Sequence, residues 1–220
     1  MAKVGVVLSG SGVYDGSELH EAVMSLYFLD KKGAEVIMMA PNKNQLHVVN
    51  HLTGEVAEGE TRNVLVESAR IARGNIKDIK DVSASDFDAL LFPGGFGAAK
   101  NLTTFAVDGA DCKIDEEVKR LVRETVEAKK PLAAICIAPV LVAKALEGTG
   151  IKTEITIGND EGVAGAIESF GATHLVCPVK EAVIDEKNKI ITTPAYMLGQ
   201  SISEIAEGIE KTVDKLLALI

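Results

Sequence analysis

Tryptophan is absent from this 220-residue chain, and six Phe and three Tyr make up only 4% of it. Aliphatic side chains must therefore fill the core, which suits a parallel sheet buried on both faces. Cysteine is scarce as well. Cys112, Cys136 and Cys177 are an odd number with no C-x-x-C spacing. That argues against a disulfide framework or a zinc site, and for a reducing compartment. No run of Lys or Arg is long enough to follow a phosphate backbone, and the formal net charge is −9. Neither nucleic acid nor an anionic membrane is expected as a partner. The first apolar run, residues 4–8, is too short for a signal peptide and far too short to span a bilayer. These absences together lead to the expectation of a cytoplasmic protein.

What is present is ordinary globular composition, 47% hydrophobic and 25% charged. With no internal repeat or linker, a single domain over residues 1–220 is expected. Strand and helix patterns alternate along the chain. Continuous apolar runs at 4–8, 35–40, 88–92 and 131–135 read as buried strands. Helices are expected at 18–32, with Leu19, Val23, Leu26 and Leu29 inward, and at 64–73, 115–129, 138–146 and from 199 onward. Hairpins are expected at 47–57 and 182–192, and short strands at 153–157 and 174–177. Residues 96–114 read as a glycine-rich excursion. The alternation predicts an α/β fold with a mostly parallel sheet and helices on both faces.

Ligands of such sheets bind beyond the carboxyl ends of the strands. Three loops there carry chemistry-bearing residues. Cys136 lies between the apolar strand Leu132-Ala-Ala-Ile135 and a helix whose first turn holds Pro139. At that junction a thiol meets backbone N–H groups and a positive helix end, which favour thiolate. A nucleophile elbow of this kind predicts a positive φ at Cys136. Equally, free cysteines are commonly buried hydrophobes, the reading adopted for Cys112 and Cys177. The second loop, Pro93-Gly94-Gly95-Phe96-Gly97, offers amides for an oxyanion hole, yet fits a plain tight turn and matches neither a Walker loop nor a dinucleotide fingerprint. The third, residues 9–18, ends in Glu18, which either serves the helix start as a dipole partner or points at the crevice and exchanges a proton with a substrate or thiol. His20, His47, His51 and His174 show no metal-ligand spacing, so no metal is expected.

Taken together, Ala134-Ile-Cys136, Pro93-Gly-Gly95 and Glu18 resemble the DJ-1/PfpI superfamily over essentially the whole chain. Residues 8–18, 50–55, 61–63, 94–101 and 192–197 are similar to its ElbB/ES1 branch, a branch linked by name to isoprenoid biosynthesis and glyoxalase activity. The resemblance implies a flavodoxin-like three-layer sandwich, a Cys136 nucleophile hydrogen-bonded to Glu18, and oxyanion donors at Gly94, Gly95 and Ile137. It also implies a homodimer and a slow, cofactor-independent glyoxalase acting on a small aldehyde. The chain departs from the superfamily in having Ile137 where proteases and chaperone-type members have His. It also lacks the late His-x-Glu of amidotransferases. A cavity for a two- or three-carbon aldehyde, walled by Tyr14, Phe96 and Pro139, is expected. The rival expectation is a non-enzymatic redox-responsive or ligand-binding protein in which Cys136 oxidises.

Overall fold

The computed structural model describes all 220 residues. Eleven strands form in chain order: β1 (Lys3–Val7), β2 (Glu35–Ala40), β3 (Val49–Asn50), β4 (Glu55–Val56), β5 (Lys77–Asp78), β6 (Ala89–Phe92), β7 (Leu132–Ile135), β8 (Glu154–Ile155), β9 (Thr173–His174), β10 (Val183–Asp185) and β11 (Ile190–Thr193). Seven helices accompany them: α1 (Leu19–Lys31), α2 (Val64–Ile71), α3 (Phe105–Asp108), α4 (Glu116–Glu127), α5 (Pro139–Leu146), α6 (Glu161–Ser169) and α7 (Ile202–Ala218). The seven-stranded sheet has the order β10-β11-β7-β6-β1-β2-β5. All its pairings are parallel except the β10–β11 hairpin at one edge.

Strand alternation sends successive side chains to two cores. Val4, Val6, Ala89, Leu91, Ala133 and Ile135 face α1 and α7. Val7, Leu90, Phe92, Leu132 and Ala134 face α4 and α5. This is the expected three-layer α/β sandwich. The central strands are short and wholly apolar because both of their faces are buried.

Several expected elements are corrected at their edges, and three, β5, α3 and α6, were not expected at all. Residues 153–157 and 174–177 contribute only the two-residue β8 and β9, paired with each other outside the main sheet. Helix α6 lies in a stretch with four small residues, Gly162, Ala164, Gly165 and Ala166, which mask its periodicity; Asp160 caps it by accepting from Val163 N at 2.8 Å. The supposed excursion 96–114 contains a π-type turn, Ala98–Leu102, and α3. The inward face of α1 also differs. Leu19 and Val23 are half exposed, and Glu21, Ala22, Ser25, Phe28 and Leu29 are buried. The helix packs closely at its amino end, so small side chains and one carboxyl group occupy the face where Leu and Val were expected.

The chain leaves β1 towards β2 and β5 on one side, then returns to β6 and β7 on the other. Such a reversal opens a crevice at the carboxyl ends of the strands. The loops there are joined by backbone hydrogen bonds: Glu18 N to Gly94 O (2.9 Å), Phe96 N to Val13 O (2.8 Å) and Gly97 N to Gly16 O (2.8 Å). A Cβ on Gly97 would collide with Ser9 Oγ and with the Gly16 backbone. Gly33, in contrast, has a positive φ of 74° and faces open space. Gly97→Ala is therefore expected to lower stability by roughly 3 kcal/mol, against about 1 kcal/mol for Gly33→Ala. Urea unfolding midpoints of the two variants check the order; equal losses would show that the loop junction tolerates strain.

Candidate active site

Cys136 is the residue at which β7 turns into α5, and its φ is +63°. Its own N–H donates to Thr193 O at 2.9 Å, which ties the elbow to the end of β11. The next turn forms at once: Ala138 N donates to Ile135 O (3.0 Å) and Pro139 opens α5. The expected elbow is present. Cys112 has an ordinary φ of −60° and Cys177 has no positive φ; both thiols are buried away from the crevice.

Three groups act on the Cys136 sulfur: the Glu21 carboxyl group and the backbone N–H groups of Gly95 and Ile137. Gly95 and Ile137 are thus where oxyanion donors were expected. Gly94 has a different task. Its N–H donates to Glu21 Oε2 at 2.9 Å. It must also be glycine for steric reasons, because a Cβ there would collide with Cys136 Cβ and with Glu21 Oε2. The single missing methyl group lets thiol and carboxyl approach each other.

The carboxyl partner of Cys136 is therefore Glu21, and the expectation of Glu18 in that place is corrected. Glu18 is the N-cap of α1, and its Oε2 accepts from Glu21 N at 2.7 Å. It still lines the crevice beside Cys136. Its Oε1 lies 3.8 Å from His20 Nδ1, and that nitrogen is 2.8 Å from the Tyr196 hydroxyl. Glu18 thus fills the helix-start role that was one of its two readings, and it also faces the crevice as the other required. Glu21 is one helical turn further on, with its second oxygen accepting from Tyr196 N at 3.2 Å. A charged residue among Ala22, Ser25 and Leu29 on the inward face was the available signal.

Burial and the neighbouring Glu18 charge push the Glu21 carboxyl from 4.5 up to about 8. At neutral pH it carries a proton. Burial, then the charge of an ionised Glu21, push the Cys136 thiol up, while the Gly95 and Ile137 amides pull it down. A neutral Glu21 removes the repulsive contribution and leaves the amides in place. Burial outweighs the two amides and holds the Cys136 thiol well above its usual range, so the expectation that the elbow favours thiolate is corrected; the pair holds one negative charge more readily than two.

Residues 194–197 form a fourth wall of the site. Ala195 is wholly buried with a φ of +41°, which turns the chain so that Tyr196 N reaches Glu21 while the Tyr196 and Met197 side chains line the crevice. The cavity measures about 440 Å³. Of the three expected walls, only Phe96 lines it. The Tyr14 ring packs on His51 and Phe96, with centroids 5.0 and 6.5 Å away, and Pro139 is buried in the first turn of α5. The cavity is larger than a two- or three-carbon aldehyde requires, because α3 and α6 supply walls of their own. No histidine lines it. His51 accepts from Tyr14 N at 3.2 Å and lies 3.8 Å from Asp15, and His174 accepts from Ile157 N at 3.3 Å.

Comparison with known proteins places this geometry. A human protein, glutamine amidotransferase-like class 1 domain-containing protein 3, mitochondrial, is 51% identical over 99% of this chain and 83% of its own length. The rat ES1 protein homolog, mitochondrial, is 50% identical over 99% of this chain and 84% of its own. Their names overturn the expected cytoplasmic location. Scarce, unpaired cysteines report a reducing environment, which is not unique to the cytoplasm, and composition carries no address. A crystal structure of an isoprenoid biosynthesis protein with an amidotransferase-like domain from Ehrlichia chaffeensis superposes with a TM-score of 0.91 at 39% identity. The match covers 99% of this chain and all of that one. The DJ-1/PfpI family model matches residues 12–194, spanning β6, the Cys136 elbow and β11, and the chain belongs to that family.

Proposed function

We propose that the protein is a cofactor-independent glyoxalase that converts a 2-oxoaldehyde and water into a 2-hydroxy acid. The observation that carries this reading is the elbow thiol of Cys136, facing the Gly95 and Ile137 amides with a protonated carboxyl group at its side. The Cys136 thiol gives up its proton as the sulfur adds to the aldehyde carbon, forming the S–C bond of a hemithioacetal, and that proton ends on the carbonyl oxygen. The two amides hold this oxygen. Glu18, which lines the crevice, removes the proton on that carbon and returns it to the adjacent one through an enediol. The product is a thioester, and water cleaves it to release the hydroxy acid and restore the thiol. No external oxidant is needed, because one carbon is oxidised as its neighbour is reduced. Glu21 positions the sulfur and keeps a second negative charge away from it. Tyr196 and His20 give the Glu18 proton a route towards solvent. With no histidine base in the cavity, slow turnover is expected.

Lactate formation from methylglyoxal tests the reading. Cys136→Ser should reduce it at least a hundredfold; equal rates in both proteins would instead favour a redox or binding role for Cys136. Glu18→Gln should lower kcat while leaving the rate of Cys136 alkylation by iodoacetamide close to wild type. If alkylation falls as much as turnover, Glu18 acts on the thiol and not on substrate.

Glu21 makes a further prediction from its raised pKa. The folded state holds this proton between pH 4.5 and about 8, whereas the unfolded state has lost it above 4.5. Its contribution is fully present below 4.5 and is lost as pH rises through about 8. Thermal stability should fall over that window, by an amount on the order of a few kcal/mol. Glu21→Gln should flatten the fall and abolish the inflection near pH 8 in the alkylation rate of Cys136. An unchanged pH profile in the variant would remove Glu21 from the thiol's environment.

A further inference from the structure

The cavity lining holds few polar groups. Cys136 Sγ and the Gly95 and Ile137 amides lie together at the carboxyl ends of β6 and β7, with Glu18 beside them at the start of α1. The rest of the lining is mostly apolar, Val13, Phe96, Ala99, Phe105, Val163 and Met197 from five segments of the fold, and the Tyr196 hydroxyl is engaged with His20 at 2.8 Å. None of the lining residues is a cation. The nearby Lys100 is engaged elsewhere: its Nζ donates to Tyr14 O at 2.8 Å and lies 5.1 Å over the Phe96 ring. A phosphate or carboxylate at the far end of a substrate would find no partner and would be desolvated against apolar walls. A three-carbon aldehyde would occupy only the space beside Cys136, in a cavity whose 440 Å³ falls in the range that encloses much larger ligands.

We infer that the substrate of this site is an uncharged aldehyde with an extended apolar tail, the carbonyl seated at Cys136 and the tail lying between α3, α6 and the 194–197 loop. This rests on the thiol chemistry proposed above for its head, whereas the tail is argued from the cavity walls alone. The walls are built, not incidental. Phe105 is presented by α3, which Thr103 and Thr104 anchor through bonds to Phe105 N (3.3 Å) and Lys113 N (2.9 Å). Val163 is presented by α6 through its cap at Asp160.

Two kinetic series test this. The first measures kcat/KM for linear 2-oxoaldehydes from methylglyoxal to hexylglyoxal, with a terminal-carboxylate analogue as control. The second measures saturable alkylation of Cys136 by N-alkyl iodoacetamides of increasing length, which forms an S–C bond, releases iodide and requires no turnover. Cys136→Ser supplies the background. The alkylation series decides the inference. Its efficiency should rise about fourfold per methylene over the first several carbons, the worth of burying one CH₂, with no rise for carboxylate-ended reagents. Ala106→Asp, at an exposed position of α3 that borders the cavity, should flatten the slope without entering the core. A rising alkylation series with no turnover of any oxoaldehyde would uphold the apolar tail and sink the glyoxalase reading. Turnover of methylglyoxal with a flat alkylation series would do the reverse. A flat series would also follow if a second copy of the chain filled the cavity, and it overturns the inference in either case.

Discussion

The site depends on one close approach, the contact of the Gly94 backbone with Cys136 and Glu21. A buried thiol and a buried carboxyl group are each costly to charge, and neither would be held near the other by attraction alone. The absent side chain of Gly94 lets them meet, and its N–H satisfies one carboxyl oxygen. The Tyr196 N–H satisfies the other. With both oxygens partnered through backbone, Glu21 is fixed in position whichever way its proton moves. A side chain held only by other side chains would relax away as the charge changed.

The two carboxyl groups at the start of α1 are three residues apart and have opposite environments. Glu18 caps the helix and borders the crevice, and Glu21 is wholly enclosed beneath it. The two environments differ because one carboxyl group meets the crevice at the helix cap and the other is enclosed beside the thiol. The charge on Glu18 itself helps to keep Glu21 protonated. The helix cap, the crevice-facing carboxyl group and the thiol environment are thus parts of a single four-residue turn.

Much of this was legible in the sequence, for reasons that differ by element. The central strands and the sheet's parallel character follow from short, uninterrupted apolar runs. The Cys136 elbow follows from a strand that ends at a cysteine with Pro139 three residues later. Helix α6 was hidden because its small residues carry little periodic signal, and the functional role of the 194–197 loop was hidden because Pro-Ala-Tyr-Met contains no ionisable carboxyl, thiol or imidazole. The identity of the thiol's partner was missed for a geometric reason. Glu18 and Glu21 both follow β1, and a one-turn difference in helix position decides which points inward. The apolar positions of α1 were a poor guide, since Leu19 and Val23 remain half exposed while Ala22 and Ser25 are buried.

Backbone strain shows where the fold departs from the cheapest path. Five non-glycine residues have positive φ. Arg73 and Lys129 follow helices α2 and α4 at exposed positions, and Lys189 lies half-buried in the β10–β11 hairpin; at each a left-handed residue ends or reverses an element. Cys136 and Ala195 are the two that are buried, and they sit at the ends of adjacent strands joined by the Cys136 N to Thr193 O bond. Each costs on the order of 1–2 kcal/mol that an extended or helical residue would not. The cost is local and the benefit is shared. The turn at Cys136 aims sulfur at the amides of Gly95 and Ile137, and the turn at Ala195 brings Tyr196 N to Glu21 and its ring to the crevice. Relaxing either would separate the thiol from its carboxyl partner or open the wall beside it, so the two strained residues are best understood as one device spanning β7 and β11.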